Sequence, residues 1–234
     1  MEKLTVIVPV FNERQYVRES IEKLAATKFE HAKSLEIIVI DDGSTDGTGE
    51  ILRTLQERFP FQLITLPRNR GKGAAIRKGI EAATGDYIAF HDADLEYDPQ
   101  DLNKMLVPLV TGKADAVYGS RFAGGEMRRL LFYWHQVGNR FLTAITNMVT
   151  NLNFSDIETC YKMFRAPDLK KLRLTSDRFS IEPEITIKAA KAGLRFYEVS
   201  IAYNGRTYAQ GKKINWTDGV SALFHIVKFG LFGR

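Results

Sequence analysis

The sequence predicts an α/β fold in which helices cover both faces of a mainly parallel sheet. Apolar segments of strand length alternate with helical segments through the first half of the chain, and most of these apolar segments have no polar interruption. Strands that are buried on both faces have near-continuous apolar sequences, and alternation of strands and helices produces parallel sheets. The 234 residues suffice for one such domain, and no repeat or linker divides them.

The predicted elements follow from the spacing of apolar residues. Consecutive apolar residues predict a strand, and a period near 3.6 residues predicts a helix. In the first half, the predicted strands are 4–8, 35–40, 62–66, 87–90 and 115–118, and the predicted helices are 13–26, 45–58, 72–83 and 101–110. In the second half, the predicted strands are 160–165 and 196–202, and helical spacing is found at 128–150, 182–191 and 216–232.

Composition limits the cellular setting. The formal charge of +5 suggests an anionic partner, which could be a nucleotide, a nucleic acid or a membrane surface. Cys160 is the only cysteine, so an internal disulfide is impossible, and no Cys/His spacing indicates zinc. No uncharged apolar run reaches the roughly 18–20 residues of a membrane-spanning helix. We expect a cytoplasmic protein that lies on the membrane surface if it contacts a membrane.

The segment Asp92-Ala93-Asp94 follows a short apolar strand and places two carboxylates one residue apart. Side chains alternate along a strand, so the two carboxylates are expected to project to the same side. A hard divalent cation with oxygen ligands would offset their repulsion and can also hold a diphosphate. Ligands of parallel sheets bind beyond the carboxyl ends of the strands, where these aspartates lie.

Five segments in this order resemble glycosyltransferase family 2. They are 8–13 (VPVFNE), 41–46 (DDGSTD), 69–73 (NRGKG), 92–94 (DAD) and 119–121 (GSR). Four later segments resemble the dolichyl-phosphate mannose/glucose synthase branch of that family. They are 156–165 (DIETCYKMFR), 181–185 (IEPEI), 203–206 (YNGR) and 211–219 (GKKINWTDG).

The resemblance implies a GT-A fold, which is a Rossmann-like domain that binds nucleotide-diphospho-sugars. It also implies one domain in which 1–122 bind the donor and 123–234 bind the acceptor through amphipathic helices. The donor-binding residues that it implies are Pro9, Phe11, Glu13, Asp41, Lys72, Asp92 and Ala93. Lys72 could equally be a solvated residue at a helix start, and Asp42 is expected to cap the helix that follows it.

A divalent cation is the implied cofactor. By resemblance Asp94 is the firmer ligand, Asp92 shares the metal or contacts the ribose, and Glu96 either adds a contact or is an exposed loop residue. Mg²⁺ and Mn²⁺ both suit an oxygen-rich site. The cation would stabilise the departing diphosphate as a Lewis acid.

The implied acceptor is a polyprenyl or dolichyl phosphate. Its second pKa is about 6, so it is a nucleophile at neutral pH without a general base. It needs cations instead, and the predicted acceptor-phosphate ligands are Arg121, His135, Arg206, Lys212 and Lys213. We assign catalytic roles to Asp94, Arg121 and Arg206. His135 and Asn139 could equally be partly exposed helix residues, and Glu182 and Glu184 are expected to be structural or to bind sugar hydroxyls.

The predicted function is therefore metal-dependent, inverting transfer of a hexose to a lipid phosphate. Mannose from GDP-mannose is the first choice of donor, and glucose from UDP-glucose is the second. Helices at 128–150 and 216–232 could lie on a membrane surface or simply complete the core, and a membrane-anchored partner subunit is possible. The alternatives are transfer to a hydroxyl acceptor and an inactive nucleotide-sugar-binding subunit. No nucleic-acid recognition motif is present.

Overall fold

The computed structural model describes residues 2–130, 132–211 and 216–232. The described strands form one sheet and are β1 Lys3–Val10, β2 Ser34–Asp41, β3 Gln62–Thr65, β4 Tyr87–Phe90, β5 Ala116–Ser120, β6 Lys162–Arg165 and β7 Phe196–Ser200. The described α-helices are α1 Val17–Ala26, α2 Thr48–Gln56, α3 Lys72–Ala82, α4 Asp101–Val110, α5 Tyr133–Thr150, α6 Ala166–Lys171, α7 Ile181–Lys191 and α8 Trp216–Val227. A 3₁₀ turn spans Tyr208–Gln210, and α8 continues as a π-helix over Lys228–Phe232.

The strand order is β3-β2-β1-β4-β6-β5-β7. All neighbouring pairs are parallel except those made by β6, which runs antiparallel to both β4 and β5. The carboxyl ends of β1, β2 and β4 therefore meet at one edge of the sheet. Because β6 runs in the opposite direction, the residues that precede it lie at the same edge, between the ends of β4 and β5.

The predicted mainly parallel α/β fold is confirmed. Every residue of β4 and of β5 is buried, and successive side chains of a strand point to opposite faces, so both faces of the sheet are covered. The two halves of the chain share this sheet, because β6 lies between two strands of the first half. The division into a donor-binding half and an acceptor-binding half stays a prediction.

The structure differs from the predicted elements mainly in the second half. Helix α5 begins at Tyr133 rather than at Arg128, because Arg128 and Arg129 pair in extended conformation with Tyr203. The short helix α6 was not predicted. The last helix widens into a π-helix where Gly230 packs on α5, at a position where a Cβ would lie 2.4 Å from Val149 Cγ1.

Glu36 joins three segments at the opposite edge of the sheet. Its carboxylate accepts hydrogen bonds from Lys3 Nζ at 2.7 Å, Thr5 Oγ1 at 2.6 Å and the Thr84 backbone N–H at 2.8 Å. Burial alone would raise the pKa of this carboxyl, but these donors lower it to about 2. The charged form of Glu36 is therefore part of the folded structure.

Candidate functional site

The loops that follow β1 and β2 are cross-linked at the carboxyl edge of the sheet. The Asn12 backbone N–H donates to Ser44 Oγ at 2.9 Å, and Asn12 Oδ1 accepts from the Thr45 N–H at 2.8 Å. Phe11 is half-buried in this arrangement, and Pro9 lies in β1 one residue before its end. The structure thus places Pro9 and Phe11 beside the loop that carries Asp41.

Asp41 and Asp42 are both buried, and they hold different segments. Asp41 Oδ1 accepts from the Ser44 N–H at 2.9 Å, which closes the turn after β2. Asp42 accepts from the N–H groups of Arg70 at 2.8 Å and Gly71 at 2.7 Å. The expectation that Asp42 caps α2 is therefore wrong. Its carboxylate points instead to the loop before α3, while Asp46 Oδ1 accepts from the Thr48 N–H at the start of α2.

Gly43 and Gly71 allow the close contacts that this arrangement requires. Gly43 has φ +71°, and a Cβ there would lie 2.6 Å from the carbonyl carbon of Arg68. Gly71 has φ +102°, and a Cβ there would lie 2.5 Å from the Asp177 carbonyl oxygen. Only glycine adopts such backbone conformations without strain. Gly43 thus brings the loop after β2 into contact with the loop before α3, and Gly71 brings the loop before α3 into contact with the segment before α7.

Lys72 is at the centre of a buried chain of alternating charges. Its Nζ lies 2.9 Å from Asp92 Oδ2 and 3.1 Å from Glu182 Oε1, and Glu182 Oε2 accepts in turn from Lys162. Burial opposes the charge of Lys72, but Asp92 and the other anionic neighbours outweigh burial and raise the Lys72 pKa well above its ordinary value. The interpretation of Lys72 as a solvated residue at a helix start is excluded, because the Lys72 side chain is only 13% exposed.

Arg206 joins three carboxylates that come from two loops, with Glu13 after β1 and Asp94 and Glu96 after β4. Its Nη1 and Nη2 lie 3.0 Å and 3.3 Å from the two oxygens of Glu13, and Nη2 lies 3.0 Å from Asp94 Oδ2. Its Nε lies 3.6 Å from Glu96 Oε1, which also accepts from the Arg206 backbone N–H at 2.7 Å. The Arg206 side chain is 10% exposed, so this guanidinium is the central cation of a shielded acidic site.

Asp92 and Asp94 pair with different cations, Lys72 and Arg206 respectively. The strand ends at Phe90, so strict alternation no longer governs the two aspartates. Leu95 has φ +61°, an uncommon value for a residue other than glycine, and this turn places the Glu96 N–H 3.1 Å from Asp94 Oδ1. The backbone thus turns so that Asp94 and Glu96 both face Arg206.

The acidic site suits a hard divalent cation in donor type and charge. Glu13, Asp94 and Glu96 supply carboxylate oxygens and outnumber the single guanidinium that they surround. Burial, followed by the neighbouring Glu96 and Asp92, raises the pKa of Asp94 to about 7, as expected where negative charge is incompletely offset. Within 2–130, 132–211 and 216–232, no three acidic, histidine or cysteine side chains already form a metal site. A divalent cation that binds Asp94 would therefore replace the ion pair between Asp94 and Arg206.

The residues expected to bind the acceptor phosphate are distributed around this site. Arg121 forms a two-pronged ion pair with buried Asp156, with Nε–Oδ2 at 2.6 Å and Nη2–Oδ1 at 2.8 Å, and its guanidinium lies over the Tyr203 ring. His135 Nε2 lies 2.9 Å from Tyr208 Oη, so His135 contacts the loop that carries Arg206. Lys212 and Lys213 lie outside the described residues.

The expectation that Asn139 is a partly exposed helix residue is wrong, because its side chain is buried. Asn139 is 9% exposed and donates to Asp156 Oδ1 at 2.8 Å. It therefore supports the carboxylate that holds Arg121. Glu184 on α7 has the structural role, one of the two expected for it, because it accepts from the Thr175 and Ser176 backbone N–H groups at 2.8 Å and 2.7 Å.

Helices α5 and α8 expose large apolar side chains. On α5, Trp134 is 77% exposed, Phe141 is 55% and Met148 is 74%, and on α8 Phe224 is 64%. The two helices contact each other. Among the described helices, none is both long and apolar enough to cross a membrane.

Residues 5–173 match the sequence family described as glycosyl transferase family 2. This chain belongs to glycosyl transferase family 2. Two relatives of this family 2 chain are a dodecaprenyl-phosphate galacturonate synthase of Rhizobium johnstonii, 27% identical over 96% of the chain, and the glycosyltransferase AglJ of Haloferax volcanii, 32% identical over 88%. The chain spans 64% of the length of each of these relatives.

Solved structures show the same fold. The glucosyl-3-phosphoglycerate synthase of Mycobacterium tuberculosis, in complex with Mn²⁺, UDP and glucosyl-3-phosphoglycerate, superposes with a TM-score of 0.74 at 18% identity. The match covers 97% of this family 2 chain and 79% of that structure. The same enzyme with Mg²⁺ and UDP gives a TM-score of 0.72. The implied GT-A fold is confirmed.

Three residues of the site were not given a role from the sequence, although Tyr203 and Glu158 lie in segments that resemble the family. Tyr203 donates from its hydroxyl to Glu96 Oε2 at 2.8 Å, and Arg129 Nη1 donates to the Gly205 carbonyl at 3.2 Å. Glu158 lies in the loop before β6 and was not singled out. Each gains its place from a contact between segments far apart in sequence, which residue spacing does not reveal.

Proposed function

We propose that this family 2 chain is a metal-dependent inverting glycosyltransferase that moves a hexose from a nucleotide-diphospho-sugar to a polyprenyl or dolichyl phosphate. The observation that carries the proposal is the position of Arg206. This arginine comes from the predicted acceptor-side loop, yet it binds Glu13 and Asp94 at the ends of the donor-side strands. Donor and acceptor groups would therefore meet at one set of carboxylates. The name of the galacturonate synthase relative supports a polyprenyl phosphate acceptor.

The donor site would lie along the carboxyl ends of β1, β2 and β4. Pro9, Phe11 and Asp41 would bind the base and ribose, and Lys72 and Ala93 would lie beside the diphosphate. Asp94, with Asp92 and Glu96, would hold the cation. A bound Mg²⁺ or Mn²⁺ would supply Lewis-acid stabilisation to the departing diphosphate. Mannose from GDP-mannose is the first candidate for the donor, and glucose from UDP-glucose is the second.

The reaction requires no protein base. An oxygen of the lipid phosphate forms a bond to the anomeric carbon on the face opposite the diphosphate. The bond from that carbon to the diphosphate oxygen breaks, and its electron pair stays on the nucleoside diphosphate. With a second pKa of about 6, the acceptor is mostly ionised at pH 7. Arg206 and Arg121 would offset its charge, since guanidinium groups grip phosphate oxygens in pairs.

A donor and acceptor panel tests the proposal. GDP-mannose, UDP-glucose and UDP-galacturonate, each labelled in the sugar, are incubated with a short-chain polyprenyl phosphate or the matching polyprenol. We expect labelled lipid only with the phosphate, loss of product in EDTA, and recovery with Mg²⁺ or Mn²⁺. Product from the polyprenol alone would favour the hydroxyl-acceptor alternative. Nucleotide-sugar binding without turnover on either acceptor would favour the inactive subunit.

Contact with the membrane surface is the second part of the proposal. The exposed apolar side chains of α5 and α8 are accompanied by the basic residues Arg128, Arg140 and Lys228, a composition typical of interfacial helices. We place this face on the cytoplasmic leaflet, where anionic lipids attract basic residues. The face could be completed by a membrane-anchored partner subunit. Flotation of the protein with anionic vesicles, compared with neutral ones, tests the lipid contact.

A further inference from the structure

A buried carboxylate oxygen near Arg121 and the Lys162–Glu182 pair has no hydrogen-bond partner in the described parts of the chain. Glu158 Oε1 is shielded from solvent and makes no hydrogen bond there, although the Glu158 side chain as a whole is partly exposed. Buried polar atoms almost always have partners, and an unpaired one destabilises the folded state. The neighbouring buried carboxylates do have cationic partners. Asp156 binds Arg121, and Glu182 binds Lys162 through Oε2 and lies 3.1 Å from Lys72 Nζ through Oε1.

The backbone around Glu158 is held from both sides. Lys162 is fully buried and donates to the carbonyl oxygens of Ile157 at 2.9 Å and Thr159 at 2.5 Å. On the other side, Glu198 accepts from the Ser155 N–H at 2.9 Å. Glu158 therefore sits on a fixed loop, and its unpaired oxygen is not explained by a mobile segment.

The sheet places this loop within the proposed site. Residues before β6 lie between the carboxyl ends of β4 and β5, and Cys160 is near enough to Asp92 to help lower the pKa of that carboxyl, after Lys72. Glu158, two residues earlier, is thus between the loop of Asp92 and that of Arg121. Burial, followed by the nearby Glu182 carboxylate, raises the pKa of Glu158 to about 7, as expected for an acceptor without a donor.

The charge of a carboxylate limits which ligand group can bind Glu158 Oε1. A carboxylate repels phosphate groups, so neither the diphosphate nor the acceptor phosphate is its ligand. Hydroxyl groups donate well to carboxylates, and the hydroxyl-rich group next to the donor diphosphate is the sugar. We propose that Glu158 accepts a hydrogen bond from a hydroxyl of the transferred sugar and helps to select that sugar. This inference rests on the proposed function.

Binding measurements without an acceptor test this role. Calorimetry with Mn²⁺ compares UDP with UDP-glucose, and GDP with GDP-mannose, on wild type, Glu158→Ala and Glu158→Gln. We expect the affinity for each nucleoside diphosphate to stay within about twofold. The sugar nucleotide that wild type prefers should bind at least about tenfold more weakly to Glu158→Ala, a loss of about 1.4 kcal/mol. Glu50→Gln, at an exposed position of α2, is the matched control and should change neither affinity.

Deoxy-sugar donors locate the hydroxyl. Wild type should lose affinity when the contacted hydroxyl is removed, whereas Glu158→Ala should bind the deoxy and parent donors equally, because the interaction is already absent. Equal weakening of nucleoside diphosphate and sugar nucleotide would overturn the inference, as would unchanged binding of both. A third outcome would also overturn the inference. If Glu158→Ala bound the donors normally but lost transfer to a hydroxyl acceptor, Glu158 would be a general base for hydroxyl-directed transfer instead. Absence of sugar-nucleotide binding to wild type would overturn the proposed function itself.

Discussion

Removing the Arg206 side chain should destabilise the protein when no divalent cation is present. The side chains of Arg206, Glu13, Asp94 and Glu96 are each 10–14% exposed, so Arg206→Ala leaves shielded carboxylates without their cation. Breaking one partner of a buried ion pair costs about 3–5 kcal/mol. We expect the lower end, about 3 kcal/mol at pH 7, because Asp94 has a pKa of about 7 and can take up a proton.

Urea unfolding followed by circular dichroism, with and without Mn²⁺, measures this effect. Saturating Mn²⁺ should stabilise Arg206→Ala more than wild type, because in the variant the cation does not have to displace a guanidinium. At a concentration a hundred times its Kd, a ligand of the folded state adds about 2.7 kcal/mol. The control is Arg53→Ala, an exposed arginine of α2 that pairs with Glu50 at 3.9 Å and should cost less than about 1 kcal/mol. Equal stability of the two variants, together with equal stabilisation of wild type and Arg206→Ala by Mn²⁺, would refute the reasoning.

Three further predictions concern activity, acid stability and membrane contact. Asp94→Ala should lower transfer at least about a hundredfold at saturating metal, because the group that stabilises the leaving diphosphate loses a ligand, and a normal rate would contradict its metal role. The pKa of Glu36 is lowered from 4.5 to about 2, so its carboxylate contributes stability above pH 4.5 that is lost as the pH falls toward 2, about 1–2 kcal/mol after allowance for solvent screening. Glu36→Gln should flatten the dependence of unfolding free energy on pH in this window, and an unchanged slope would contradict the assignment. Phe141→Glu should reduce flotation with anionic vesicles while leaving the melting temperature nearly unchanged, since Phe141 is 55% exposed, whereas unaltered flotation would count against the lipid contact of α5.

The sequence is most informative where local pattern and tertiary structure agree. The predicted strand at 87–90 and the predicted helices at 72–83 and 101–110 match the observed elements within one residue. Their apolar residues face a core that covers both sides of the sheet. The orientation of β6 could not be predicted in this way. Its apolar residues would be buried equally well in a parallel or an antiparallel strand, and only the connection through α5 reverses its direction.

The site was predicted as a set of residues but not as a set of contacts. The order of segments resembling family 2 places Glu13, Asp94 and Arg206 in it, yet it assigns Glu13 to the nucleotide and Arg206 to the acceptor. That these two form an ion pair depends on how the loop after β7 packs against the loop after β1. Similarly, Lys72 gains its partners from β4 and α7, so its burial follows from the assembled sheet.

The place of β6 in the sheet also has a consequence for how the chain reaches its native state. Strands β4 and β5 are separated in the sheet by β6, which begins more than forty residues after β5 ends and is therefore synthesised later. During synthesis, the first five strands therefore emerge with a gap in their sheet and with pairing groups exposed on β4 and β5, which are sites of aggregation until they are covered. Closing a gap between segments so distant along the chain is slow compared with local pairing. Insertion of β6 is accordingly expected to be the late, rate-limiting event of folding, and a fragment that ends before residue 162 should not be able to complete the sheet.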